Sequence, residues 1–248
     1  MSELIYYDLK ETANMTPSLP VQMARELGRR IVAGSLAQDS LIDDEAALAE
    51  RYKVSRVVVR EAVKLLASKG LLSVRRGIGT KVLPRSRWNL LDDDVLAWHL
   101  SGTPSPDFLV QLMDIRLAVE PKASRWAAER ADDDDLENIK SALDRMAAET
   151  ASENFIIADA LFHKAILRAA RNEILSSIEG VIYSALLVSV RITNKDPREN
   201  GASVPFHEDV YNAIADRDGD LAESLTAKLL QDANRRLKAA FSPNKNSS

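Results

Sequence analysis

Val54-Ser55-Arg56-Val57-Val58-Val59-Arg60-Glu61-Ala62-Val63 is followed, after one apolar stretch, by Arg75-Arg76-Gly77-Ile78-Gly79-Thr80-Lys81-Val82. The first segment reads as the start of a helix. Ser55 is a residue type whose hydroxyl satisfies the free N–H groups of a helix N-terminus. Arg56 and Arg60 stand four apart and therefore share one helical face. The second segment reads as the basic tip of a β-hairpin with two glycines. A short capped helix beside a basic wing predicts a winged helix-turn-helix, with the helix in the major groove and the wing along phosphate or in the minor groove. The expected partner is double-stranded DNA.

Working outward, apolar residues at 21, 24, 27, 31 and 32 form a helical stripe that Gly34 stops. Asp43, Asp44 and Glu45 precede an alanine- and leucine-rich run to Tyr52, and acidic residues suit a helix N-terminus. The third helix continues from Ser55 to Lys69 and ends at Gly70, a good residue just past a helix C-terminus. Strands at 71–74 and 80–83 flank the basic tip. Residues 1–20 form an N-terminal arm, 21–85 the winged domain, and 86–92 a linker. Past residue 90 the pattern is helical, with helices expected at 93–100, 106–130, 133–150, 153–170, 172–192, 205–216 and 219–241. Pro121 should bend or interrupt the second of these. The expected fold class is mainly α: the winged domain, then an all-α antiparallel helical bundle over 93–241 for effector binding and dimerisation, then a disordered tail at 242–248.

The chain is 46% hydrophobic, enough for a real core, and has no cysteine, which excludes disulfides, thiolate metal sites and cysteine catalysis. Its apolar runs are far too short to cross a bilayer, and its first residues lack the basic-then-apolar order of a secretion signal. A cytoplasmic location is expected. The formal net charge of −4 conceals an asymmetry. Residues 21–85 hold 13 Lys/Arg against 7 Asp/Glu, whereas 86–248 hold 19 against 27. A basic module joined to an acidic one is expected when only the first touches phosphate.

The helical half contains one metal-like constellation. Asp159 and His163 are spaced i, i+4 and project from one helix face. His207, one of only three histidines, opens another expected helix. By residue type alone the group is either a satisfied buried Asp–His pair or a site for Zn²⁺, Ni²⁺ or Mn²⁺. Such a site would also suit a metal-dependent hydrolase, but the chain has no phosphate loop, nucleophile elbow or HExxH, and that reading leaves 54–82 unexplained. A ligand-independent architectural DNA-binding protein would leave the long helical half unexplained.

Residues 24–83 resemble the N-terminal domain of GntR-type transcription regulators, whose signature SR..VREA…L…GL……G.GT.V is present. The rest resembles the all-helical FCD domain of the FadR subfamily, and together the two cover about 21 to 241. Arg87-Trp88-Asn89-Leu90-Leu91-Asp92-Asp93-Asp94-Val95-Leu96-Ala97-Trp98 and Arg116-Leu117-Ala118-Val119-Glu120-Pro121 are similar to the sugar-acid, galactonate-type branch. The resemblance implies a repressor that binds a palindromic operator as a homodimer and is released by a small carboxylate. It also implies DNA contacts through Ser55, Arg56, Val57, Arg60, Arg76 and Gly77. Gln38-Asp39, Leu41-Ile42 and Ala46 depart from the family's usual Pro-Gly, Leu-Pro and basic residue, which bears on the operator sequence. FCD domains hold a divalent metal with an Asp-x3-His pair and two later histidines. Asp159, His163 and His207 match three of these ligands, and the last helix has no histidine, only Gln231, Asp232 and Asn234 in the vicinity. The expectation is a three-ligand site, Zn²⁺ first, completed by water or effector oxygens. Arg116 matches an arginine that pairs with the effector carboxylate; its plainer reading is a salt bridge to Glu120. Arg191 is a second candidate, and His99 is expected to be structural.

Overall fold

Pro20 sits in the first turn of α1 (Leu19–Val32), where its missing N–H is not needed. The computed structural model describes residues 17–101, 105–150, 153–183, 186–187 and 200–241. By its contacts the chain divides into two units, Met1–Pro104 and Ser105–Ser248.

In the first unit α1 turns Met23, Ala24, Leu27, Gly28 and Ile31 inward. Helix α2 (Glu45–Tyr52) is capped by Asp44, whose carboxylate accepts from the N–H groups of Ala46 and Ala47, each at 2.9 Å. Helix α3 (Arg56–Ser68) is capped by Ser55, whose Oγ accepts from the Val58 N–H at 3.3 Å. It buries Val59, Ala62, Val63 and Leu66. Strand β1 (Leu72–Arg75) pairs antiparallel with β2 (Gly79–Val82), placing Leu72 opposite Val82 and Arg75 opposite Gly79. The winged helix-turn-helix is therefore present, with both strands within a residue of their expected positions.

Residues 39–42 lie along β2, where the sequence carries no strand signal. Asp39 N–H donates to Val82 C=O at 3.0 Å, Val82 N–H to Ser40 C=O at 2.9 Å, and Ile42 N–H to Thr80 C=O at 2.9 Å. Asp39 adopts a φ of 66°, a left-handed conformation that Asp tolerates better than most residues. This is the position where glycine is usual in the resembled family.

Helix α4 (Asp93–Ser101) also belongs to the first unit. Lys69 Nζ bonds Asp92 and Asp94 at 2.8 Å, and Trp88, Val95 and Trp98 join the apolar core of α1 and α3. A Cβ at Gly28 would lie 2.2 Å from the Trp98 ring, so glycine there is what lets the two helices meet. The division thus falls after Pro104, beyond the linker expected at 86–92, because the apolar face of 93–101 is used on α1.

The second unit is helical throughout its described residues. Helix α5 (Pro106–Arg130) is capped by Ser105 and runs through Pro121 without interruption. Helix α6 (Asp133–Ala148) starts with a capping box between Asp132 and Asp135. Helices α7 (Glu153–Ala169) and α8 (Glu173–Ser177) follow, with a turn at Ile178 inside the stretch expected to be one helix over 172–192. Helix α9 (Asn200–Ala215) starts before Pro205 rather than at it, anchored by Asn200 Nδ2 donating to Thr150 C=O at 2.8 Å. Helix α10 (Gly219–Phe241) packs along α5, and α5 also meets α7 and α9. Between α5 and α10 the buried hydroxyls of Ser124 and Thr226 bond at 2.7 Å.

Candidate functional site

The burial of Val59, Ala62, Val63 and Leu66 at helical spacing turns Arg56, Val57 and Arg60 outward on α3. Val57 is 65% exposed. Arg60 is engaged: its Nε and Nη2 donate to the Glu45 carboxylate at 3.1 and 2.7 Å. This bond holds the Glu45 carboxyl below its usual range. Glu45 was not among the expected site residues, because its link to Arg60 depends on how α2 and α3 pack. Arg75, Arg76, Gly77 and Ile78 are all exposed at the wing tip. Gly77 has a φ of 78°, and no heavy atom lies within 4 Å of where a Cβ would stand. Glycine is favoured there by backbone conformation and not by crowding.

In the second unit, three helices bring five ionisable side chains together in the interior. Arg116 and Glu120 come from α5, Asp159 and His163 from α7, and His207 from α9; each is at most 5% exposed. Arg116 Nε donates to Glu120 Oε1 at 2.5 Å, and the other carboxylate oxygen lies 2.6 Å from His163 Nδ1. His163 Nε2 lies 3.6 Å, and His207 Nε2 2.9 Å, from Asp159 Oδ1. His207 Nδ1 donates to the Ser203 carbonyl at 2.8 Å. The Phe162 ring meets both imidazoles edge to face, at 5.6 and 5.2 Å between centroids.

Burial pushes both carboxyls upward, but their partners outweigh it. His207, His163 and Arg116 around it bring Asp159 to about 2. Arg116 and His163 bring Glu120 to about 2 as well. Both therefore stand as carboxylates in the interior.

Asp159, His163 and His207 each offer one ligand atom, and these lie within 4.8 Å of one another. Each imidazole has Nδ1 against an oxygen acceptor, which leaves Nε2 for an ion beside Asp159. Two neutral imidazoles and one carboxylate suit Zn²⁺, Ni²⁺ or Mn²⁺ and leave coordination positions for an outside ligand. The residues present fit a divalent ion. On α10, Gln231 is exposed and Asp232 pairs with Arg235 and Arg236 at 2.7 and 3.1 Å. Asn234 Oδ1 is buried without a hydrogen-bond partner.

Arg116 forms the ion pair with Glu120 of its plainer reading, but in the interior and joined to the histidine cluster. Spacing alone made Glu120 a partner for Arg116; nothing in the sequence tied it to His163 on another helix. His99 is buried in the first unit with its ring 5.7 Å from Trp88. Arg191 lies outside the described residues.

Residues 20–82 match the profile of the bacterial regulatory proteins of the gntR family, and residues 111–232 match that of the FCD domain. The chain is 36% identical to the galactonate operon transcriptional repressor of Escherichia coli (strain K12), over 86% of its own length and 93% of that protein's. It is 31% identical to the HTH-type transcriptional regulator LutR of Bacillus subtilis (strain 168), over 85% of this chain and 97% of that one. In fold it is similar to the solved structure of Lar, which controls expression of the Listeria monocytogenes agr system, with a TM-score of 0.65 at 18% identity, covering 91% of this chain and 99% of that one. A winged helix-turn-helix ahead of an all-helical unit, with similarity of this extent, places the chain in the GntR family of bacterial regulators with an FCD domain, as a DNA-binding transcription regulator and not an enzyme.

Proposed function

We propose that the protein is a homodimeric repressor of a sugar-acid operon, released from a palindromic operator when an aldonic acid binds in the second unit beside a divalent ion. The buried assembly of Arg116, Glu120, Asp159, His163 and His207 carries this reading, since so many charged groups inside one helical unit are costly unless a ligand uses them. When bound, the ion would be held by Asp159, His163 and His207 and would offer Lewis-acid positions to effector oxygens; Zn²⁺ is the first choice, with Ni²⁺ and Mn²⁺ of similar fit. Arg116 anchors the effector carboxylate. Glu120 already takes its Nε and Nη2, so the effector meets the remaining edge of the guanidinium or displaces Glu120. The galactonate operon repressor among the relatives supports a sugar acid.

On DNA, Arg56 and Arg60 read base edges, for which the guanidinium fork matches guanine O6 and N7. The exposed Val57 suits a thymine methyl. Ser55 caps the reading helix, and Arg76 and Gly77 carry the wing against the backbone. Among the described residues no helix is long and apolar enough to cross a membrane, and the proposed place of action is the cytoplasm.

The test is anisotropy of labelled DNA from the gene's own upstream region, titrated with protein loaded with Zn²⁺, Ni²⁺ or Mn²⁺. Aldonic acids, D-galactonate first, are expected to lower operator affinity, and aromatic acids to leave it unchanged. Operator binding indifferent to every aldonic acid in metal-loaded protein would reject the sugar-acid reading.

A further inference from the structure

Glu120 is 2% exposed and divides its carboxylate between two partners. One oxygen accepts from Arg116 Nε at 2.5 Å, and the other lies 2.6 Å from His163 Nδ1. We propose that Glu120 is the positioning residue of the metal site, fixing the His163 ring so that its Nε2 lone pair faces the ion. The assignment rests on the metal reading above.

A neutral imidazole carries one proton on either of its two nitrogens, and the partner of one nitrogen decides the state of the other. A carboxylate has no proton to give. With Glu120 at Nδ1, that nitrogen must be the donor, and Nε2 keeps its lone pair. Nε2 is the nitrogen on the Asp159 side. His207 also has an acceptor at Nδ1, the Ser203 carbonyl, but its Nε2 stands closer to Asp159, at 2.9 Å. Two rings from two helices thus have an acceptor at Nδ1 and turn Nε2 toward Asp159 Oδ1. The two acceptors are not equivalent, because a carboxylate makes its imidazole a stronger ligand than a neutral carbonyl does.

Arg116 completes the device. A carboxylate buried alone would tend to take up a proton and could then act as a donor itself. The guanidinium, one helical turn away on α5, keeps Glu120 an acceptor and fixes its rotamer. A competing account is that Glu120 serves only to neutralise Arg116, with His163 an incidental neighbour. That account predicts that variants which keep the fold also keep the metal.

The experiment uses full-length protein stripped of metal, with Zn²⁺ and Ni²⁺ alone as probes, followed by calorimetry against a competing chelator. Two variants are compared with wild type. Glu120→Gln keeps the shape and loses the charge. Arg116→Gln/Glu120→Gln removes both charges together, so the fold is not burdened by an unpaired arginine. Both should melt cooperatively and bind metal roughly ten- to a hundred-fold more weakly, the usual effect of losing such an outer partner. Glu120→Asp, which keeps the charge but withdraws it, should recover part of the loss. In metal-free protein at mildly alkaline pH, imidazole ¹⁵N shifts should show His163 protonated at Nδ1 in wild type and as a mixture in both variants. Wild-type metal affinity and unchanged His163 nitrogen shifts in a folded variant would overturn the assignment alone. Wild-type protein that takes up neither ion would defeat the metal reading itself, and this assignment with it.

Discussion

Arg56 and Arg60 project from the exposed side of α3, so alanine at either position removes a contact surface without opening the core. We expect each substitution to weaken specific operator binding roughly five- to a hundred-fold, as loss of a base-reading arginine does, while helical content and melting stay near wild type. Titrating labelled operator checks this, and wild-type affinity would remove that residue from the base-reading set. The proposed base contact requires Arg60 to part from Glu45. At the buried site, His163→Ala and His207→Ala should each abolish ion retention, because three protein ligands leave little redundancy. Elemental analysis after loading with Zn²⁺, Ni²⁺ or Mn²⁺ reads the result; wild-type protein carrying no ion would refute it. The Asp159–His163 pair was legible because the helical period alone puts i and i+4 on one face. Glu120 was not. In the sequence it is merely four residues from Arg116, and only the packing of α5 against both α7 and α10 makes the pair internal.

Between elements the decisive contact is α1 against α4. Glycine inside a helix is about 1 kcal/mol worse than alanine, so propensity alone favours Gly28→Ala. Sterics oppose it: the new Cβ would stand 2.2 Å from the Trp98 ring, and that ring is 3% exposed and has no solvent to move into. Overpacking of a filled core costs about 1–3 kcal/mol and should win here. We expect a net loss of about 1–2 kcal/mol, seen as a lower urea midpoint for the first unit. A raised midpoint would mean that α4 does not rest on α1. This contact shows where sequence reading stops. Periodicity says that 93–100 has an apolar face, but not which neighbour receives it, and pattern alone joins this helix to the bundle that follows. The bridge of Leu41 to β2 escapes for a related reason: the hydrogen bonds of 39–42 go to 80 and 82, far along the chain. The wing itself was legible because both of its strands and its glycine tip are local.

Across the whole molecule, charge and chemistry are segregated. Residues 21–85 carry a surplus of Lys/Arg (13 against 7) and residues 86–248 a surplus of Asp/Glu (27 against 19), so phosphate is attracted to the winged segment and repelled by the rest of the chain. An effector in the second unit releases DNA only through its different affinity for the bound and free arrangements. Removing the effector's anchor should therefore remove induction and spare DNA binding. Arg116→Ala is a poor test, because it leaves Glu120 buried without its counterion at a cost of about 3–5 kcal/mol, and unfolding would imitate lost function. Arg116→Lys keeps a positive charge beside Glu120 but gives up the planar fork that can hold two carboxylates at once. Without inducer, the variant should bind operator within about two-fold of wild type, since its DNA surface is unaltered. With inducer, half-release should need roughly ten-fold more aldonic acid or higher, the scale of one lost charge-assisted bond. A release curve that overlays wild type would show that Arg116 serves Glu120 alone, and the effector carboxylate would have to be sought at the metal ion instead.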